Sequence, residues 1–233
     1  MMHVIGTGYG RTGTTSLTTA LVQLGFGPCL EAGEVFRNPR LIRPLLGAVE
    51  GKPTNWEEIF ACYKSMVCEP VTPCWRRLVE YCPEVKVVHT VRDPEQWISS
   101  IQRTLLKRRR HINTWYGRGA IRVSSTLGTD LAPLIELFQR TLEGQALKLV
   151  AEGKPERAVE QFQAHTDQVI ETVPADRLLI YDIRDEWGPL CEFLGVPVPA
   201  EPFPLKSTTV EIASGRGRGF GREALSRFLT RTR

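Results

Sequence analysis

Several features are missing from this 233-residue chain, and each absence removes a class of function. No apolar run approaches the ~18 residues that a membrane-spanning helix needs, so stable membrane insertion is not expected. The six cysteines (Cys29, Cys62, Cys68, Cys74, Cys82 and Cys191) form no C-x-x-C pair and no paired metal spacing. Buried or free thiols are therefore expected rather than a disulfide framework or a metal centre. Neither sign of charge is in large excess: a net charge of +4 does not argue for a nucleic-acid partner and is what one anionic ligand could use. Repeats and linkers are absent as well. The first apolar run begins at residue 3, which leaves no room for a leader and gives the expectation of a cytoplasmic protein. With 42% hydrophobic and 24% charged residues, one compact domain over 1–233 is expected, with 213–233 as a basic C-terminal segment.

What is present is concentrated near the N-terminus. The run from His3 ends in Gly6, Gly8 and Gly10, followed by Arg11-Thr12-Gly13-Thr14-Thr15-Ser16. Leu17, Ala20, Leu21 and Leu24 then fall at i, i+3, i+4 and i+7, one face of a helix that Gly25 and Pro28 close. The order is strand, glycine-rich loop, helix N-terminus. Amides at such a helix start lack intrahelical partners, and the helix dipole favours negative charge there. The glycines let the backbone curl around a phosphate or sulfate, and Arg11 and the hydroxyls add donors.

Two common anion loops fit poorly. Gly8-x4-Gly13 has Walker A spacing, but Thr14 stands where the lysine should be, so a nucleoside triphosphate would lack its usual β/γ contact. The G-x-G-x-x-G dinucleotide pattern fails because Arg11 occupies the third glycine position.

Farther along, apolar strands near 3–7, 65–68, 86–91 and 177–181 alternate with helical segments. These lie near 14–25, 38–48, 55–62, 73–81, 94–109, 132–152, 155–172, 187–194 and 222–230. Thr54-x-x-Glu57 reads as a capping box before the third helix. The alternation predicts an α/β fold, a single parallel sheet flanked by helices. Asp93-Pro94 ends the third strand and opens a helix with proline at its first position. Arg92 then lies at a strand's C-terminal end, where doubly wound sheets bind ligands, and Ser100 lies about two turns into the helix. The Pro-rich stretch 196–204 reads as a loop that closes the core.

The loop Arg11-Thr12-Gly13-Thr14-Thr15 resembles the 5′-phosphosulfate loop of sulfotransferases, usually Lys-Ser-Gly-Thr-Thr, with arginine for lysine. Residues 10–29 are closer still to a bacterial-type sulfotransferase-like family with arginine in the loop. Val91-Arg92-Asp93-Pro94 with Ser100 is similar to the Arg…Ser pair that holds a 3′-phosphate in that family. Leu178–Asp182 followed by Cys191-Glu192-Phe193-Leu194-Gly195 resembles its late strand and following helix. The resemblance spans about 3–204. It implies a P-loop-like sulfotransferase fold and 3′-phosphoadenosine 5′-phosphosulfate as donor, with no metal. A hydroxyl or amine of a small molecule would be the acceptor. Gly10, Arg11, Thr12, Gly13, Thr14, Thr15 and Ser16 would hold the phosphosulfate, Arg11 also acting in catalysis, and Arg92 and Ser100 the 3′-phosphate.

Two basic segments remain. Lys107-Arg108-Arg109-Arg110-His111 ends a predicted helix, where cations suit the dipole. Arg216 and Arg218, spaced by glycines, could wrap a phosphate. The family puts an Arg-Gly segment there, although its usual longer string is absent. A general base is expected for the acceptor's proton. The family's Thr-His-x-Pro segment corresponds to Val67-Cys68-Glu69-Pro70, so the histidine is missing. The heparan-type relatives use a glutamate in a string like Glu31-Ala32-Gly33-Glu34-Val35. Glu34, then Glu31, then Glu69 are the candidates, and a structural role is expected for His165. Two alternatives stay open: a P-loop nucleotide kinase or hydrolase with an atypical loop, and a non-catalytic anion-binding scaffold.

Overall fold

The computed structural model describes residues 2–67, 69–112 and 132–205. Five strands form one sheet: β1 (Val4–Gly6), β2 (Cys29–Leu30), β3 (Ser65–Val67), β4 (Lys86–Val91) and β5 (Leu178–Asp182). Their spatial order is β2-β3-β1-β4-β5 and every pairing is parallel. The expected α/β class therefore holds, with one strand more than the sequence announces. β2 is two residues long, too short for any periodicity.

Alternate residues of a strand face opposite layers. Ile5, Met66 and Val87 join the core formed with α3 (Ile42–Val49), α5 (Trp75–Tyr81) and α7 (Ala132–Arg140). Val4, Val67 and Val88 pack instead on α1 (Thr14–Leu21) and α10 (Trp187–Leu194). Phe203, in the Pro-rich loop, is buried against Trp187 and so does close this second core. A third cluster joins Tyr9 to α6 (Pro94–Ile112), α8 (Leu142–Ala151) and α9 (Pro155–Thr172) through Trp97, Ala146 and Phe162. The Trp97 and Phe162 rings stack at 4.4 Å.

Three local differences from the sequence reading have physical causes. Residues 132–152 are two helices, α7 and α8, because Thr141 is extended (φ −69°, ψ 161°) and its Oγ1 accepts from Gly144 N–H at 3.0 Å. Gly144 allows the close crossing: a Cβ there would collide with the Phe138 carbonyl oxygen. At α4 (Trp56–Phe60) the cap is Asn55, which accepts from Glu58 N–H at 3.3 Å. Thr54 is turned away and donates to the Lys52 carbonyl. Residues 32–37 form a short helix, α2 (Ala32–Arg37), that the sequence reading does not contain. The expected helix at 222–230 lies outside the described residues.

All strand C-termini lie on one edge of a parallel sheet. After β1 the chain moves toward β2, and after β4 it moves toward β5. The connections diverge between β1 and β4, and such a divergence opens the crevice where ligands bind.

Candidate active site

The loop after β1 fills that crevice. Its carbonyls are held inward: the Trp97 indole donates to Gly10 O at 3.0 Å, Arg92 Nη1 to Arg11 O at 3.1 Å, and Thr12 Oγ1 to Tyr9 O at 2.6 Å. With the carbonyl oxygens turned to the protein, the opposite face of the loop carries amides. The loop also depends on glycine at defined points. A Cβ on Gly8 would collide with Thr90, and Gly13, which caps α1, has φ +102° and lies against Ile183. Gly13 has no side chain to occupy the first-turn amides, so those of Thr14 and Thr15 have neither an intrahelical nor a side-chain cap. Arg11 takes φ +76°, a left-handed conformation that L-residues rarely adopt, as part of the same tight turn.

A cleft opens above these amides. Arg11 to Ser16 form one wall, and Val91, Arg92 and Gln96 form a second. Asp182, Ile183, Arg184 and Leu205 complete it. Arg184 binds Asp182 through Nε at 2.9 Å and Nη2 at 2.5 Å, and this contact holds the Asp182 carboxyl below its usual range. Among the described residues, Asp182 is the one carboxylate that lines the cleft, and it is paired with Arg184, while Arg11 and Arg92 line the cleft with further positive charge. The arrangement has the donors and the charge that an anion would need.

Most of the expected loop and strand-end residues come together here. Thr12, Gly13, Thr14, Thr15, Ser16, Arg11 and Arg92 all line the cleft, with Gly10 beneath it. Ser100 enters differently. It is buried and accepts from Arg11 Nε at 3.3 Å, so it reaches the cleft through that arginine, while Gln96, one turn earlier on α6, is at the surface of the cleft. Gln96 and Arg184 belong to no motif in the sequence, and Asp182 only ends the late strand. Their signal is positional: Asp182 is the last residue of β5, and Gln96 and Arg184 follow the C-terminal ends of β4 and β5 within five residues. Leu205 is the last described residue, so Arg216 and Arg218 lie outside the described residues.

The expected carboxylates stand on the other flank, after β2 and β3. Glu31 precedes α2 and Glu34 is within it; Arg37 pairs with both, directly with Glu34 and at 3.8 Å with Glu31. Burial, and then the charge of Glu34, raises the Tyr63 hydroxyl above its usual value. Glu69 is 4% exposed, and its Oε1 accepts from Glu143 N–H at 2.9 Å. Its Oε2 is buried with no hydrogen-bond partner among the described residues. Burial, and then the charge of Glu143, pushes the Glu69 carboxyl up to about 8.

His89 and His165 are held by hydrogen bonds within the core. His165 donates through Nε2 to the Thr7 carbonyl at 2.7 Å. His89 contacts Thr7 Oγ1 through Nδ1 at 2.9 Å and Thr166 Oγ1 through Nε2 at 3.0 Å. Thr166 gives its own proton to Phe162 O, so His89 Nε2 carries hydrogen and Nδ1 accepts from Thr7. Burial holds both imidazoles neutral, with His89 pushed down to about 3. The described cysteines are unpaired, and burial raises the Cys29 and Cys74 thiols to about 11. Cys68 lies outside the described residues. Among the described residues, no helix is long and apolar enough to cross a membrane, and no group of side chains is arranged for a metal ion.

Residues 3–212 match the family described as "Sulfotransferase domain". The chain is also similar to "Ava biosynthesis cluster protein M" of Aspergillus versicolor, 30% identical over 219 residues, covering 87% of this chain and 80% of that protein. A match of this extent, over a loop, strand end and late strand that converge on one anion cleft, means that the chain belongs to the sulfotransferase family.

Proposed function

We propose that the protein transfers a sulfonate group from 3′-phosphoadenosine 5′-phosphosulfate to a hydroxyl or amine of a small molecule. The observation that carries this reading is the inward capture of the Tyr9, Gly10 and Arg11 carbonyls by Thr12, Trp97 and Arg92. It leaves a rim of amides, and Arg11 beside them, for the phosphosulfate. Arg11 and the amides of residues 12–16 hold that group, and Arg92 takes the 3′-phosphate. Ser100 acts by fixing the Arg11 guanidinium. Arg216 and Arg218, spaced by glycines, are further candidates for the same phosphate. The similar protein is named for a biosynthesis cluster, which favours a small-molecule acceptor. The domain comprises residues 1–233, needs no metal and works in the cytoplasm. The acceptor side is the β2–β3 flank, where Glu31, Glu34 and Glu69 follow strand ends.

Calorimetric titration with 3′,5′-diphosphoadenosine, 5′-AMP and ATP tests this. The 3′-phosphate contact should give 3′,5′-diphosphoadenosine a preference of about tenfold or more over 5′-AMP, since a charge-assisted bond is worth roughly 1.5–3 kcal/mol. Arg92→Ala should erase most of that preference. Equal affinities, or tighter ATP, would favour a P-loop nucleotide enzyme. Tight binding without transfer to phenols, alcohols and amines would favour the scaffold.

A further inference from the structure

Glu143 stands where no sequence motif points. It is the second residue of α8, in the first turn after the break at Thr141. Its carboxylate fills the space a side chain at Gly10 would need, because a Cβ built on Gly10 falls inside that carboxylate. Gly10 directly precedes Arg11, so the contact is with the phosphosulfate loop itself. Glu143 approaches on the β3 flank, since Glu69, two residues past β3, accepts its backbone N–H.

The two carboxyl groups differ in environment. Glu69 is nearly fully buried, with one oxygen used by the Glu143 amide and the other unpartnered among the described residues. Glu143 is half-buried and its carboxylate abuts Gly10, the loop residue beneath the cleft. Two adjacent carboxylates do not both ionise easily, and the neutral form falls to the member with the larger desolvation cost. That member is Glu69. Burial is the larger cause of the upward shift at Glu69 and the charge of Glu143 the second. Glu143 is the less buried of the two and the one beside the loop.

We infer that Glu143 is the catalytic proton acceptor of this sulfotransferase, taking the proton from the acceptor hydroxyl as its oxygen attacks sulfur. The inference rests on the sulfonate-transfer reading above. The new O–S bond forms as the bond from sulfur to the bridging oxygen of the phosphosulfate breaks. That electron pair stays on the phosphate oxygen, and the hydroxyl proton passes to a Glu143 carboxylate oxygen. Arg11, the next residue after the glycine that Glu143 touches, lines the cleft, and in this reading its guanidinium supplies positive charge to the reacting group. Glu31 and Glu34 are less well placed. They follow the edge strand β2, which lies two inter-strand spacings, roughly 10 Å, from β1.

The test is turnover of full-length Glu143→Gln against phenols of graded acidity, with 3′,5′-diphosphoadenosine binding measured on the same preparation. For a weakly acidic phenol, kcat should fall by roughly 10²–10⁴-fold, the usual worth of a positioned base. The deficit should shrink steadily as the phenol becomes more acidic, because less proton removal is then needed. Binding of 3′,5′-diphosphoadenosine should be unchanged, which also reports a folded variant. Glu143→Asp, with its carboxylate one methylene farther back, should retain more turnover than Glu143→Gln. Wild-type turnover in Glu143→Gln, or an equal deficit for every phenol, would overturn the assignment. A wild-type protein that fails to bind 3′,5′-diphosphoadenosine would overturn the sulfonate-transfer reading instead.

Discussion

The two flanks of the loop are built from opposite chemistry. Toward β4 and β5 the groups are guanidiniums, Arg11, Arg92 and Arg184, at the rim of an open cleft. Toward β3 they are carboxyls, Glu69 and Glu143, packed at the start of α8. A guanidinium keeps its charge in any surroundings and works best as a fork of donors that a phosphate can meet at the surface. A carboxylate in water has too little proton affinity to serve as a base near neutral pH. Burial and a like-charged neighbour raise that affinity, as they do for Glu69. One flank is thus an open rim of guanidiniums, and the other a packed pair of carboxyls of which the more buried, Glu69, has its proton affinity raised.

The strongest way to break this comparison is at the guanidinium flank. Arg11→Ala should lower kcat/KM by roughly 10²–10³-fold, the usual loss when one charge-stabilising donor is removed. Arg11→Lys should keep a considerable part of the activity, because the positive charge remains although the bidentate fork is lost. Normal turnover of Arg11→Ala with a phenol acceptor would mean that the loop is not where sulfonate sits.

The carboxyl flank should show itself in stability. The folded Glu69 carboxyl titrates near 8 against 4.5 when unfolded, so its neutral form is favoured by folding. That contribution is fully present below pH 4.5 and is lost as pH rises through 8. Glu69→Gln keeps an oxygen for the Glu143 amide but cannot ionise. At pH 9 it should be more stable than wild type by on the order of 1–3 kcal/mol, read by denaturant unfolding. A variant less stable than wild type at pH 9 would show that the Glu69 charge is accommodated.

The smallest effect lies between the flanks, at His89. Its folded value near 3 lies below the unfolded 6.5, so the unfolded chain binds the extra proton and stability falls as pH drops below 6.5. At pH 5.5 this one group should cost about 1.4 kcal/mol relative to neutral pH. His89→Asn should flatten the fall in Tm between pH 7 and 5, only partly, because His165 shifts in the same direction. An unchanged slope would show that His89 protonates within the fold.

Much of this was legible without coordinates, for local reasons. The loop from Gly6 to Ser16, the face of α1, and the Asp93-Pro94 start of α6 depend on neighbours within a few residues. α10 was bounded correctly at both ends because Gly195 supplies its left-handed stop (φ 74°). The capping box was misplaced by one residue, since Thr54 and Asn55 are both competent caps and only the chain's approach direction chooses between them. The break at Thr141 left a trace, a threonine followed by Glu143 and Gly144, but the apolar spacing on either side fitted a continuous helix equally well.

By itself the sequence determined that this chain carries an anion loop on an α/β frame, because hydrophobic period, glycine placement and helix starts are properties of short segments. What the tertiary structure decided is how that loop is armed. Trp97 reaches Gly10 across 87 positions, Arg92 reaches Arg11 across 81, and Arg11 reaches Ser100 across 89. Glu143 meets Glu69 across 74. These contacts depend on helices that kink and cross at angles set by packing, and the sum of many small side-chain volumes fixes those angles. No local spacing encodes them, so the residues that brace the loop and the Glu69–Glu143 contact became visible only in the fold.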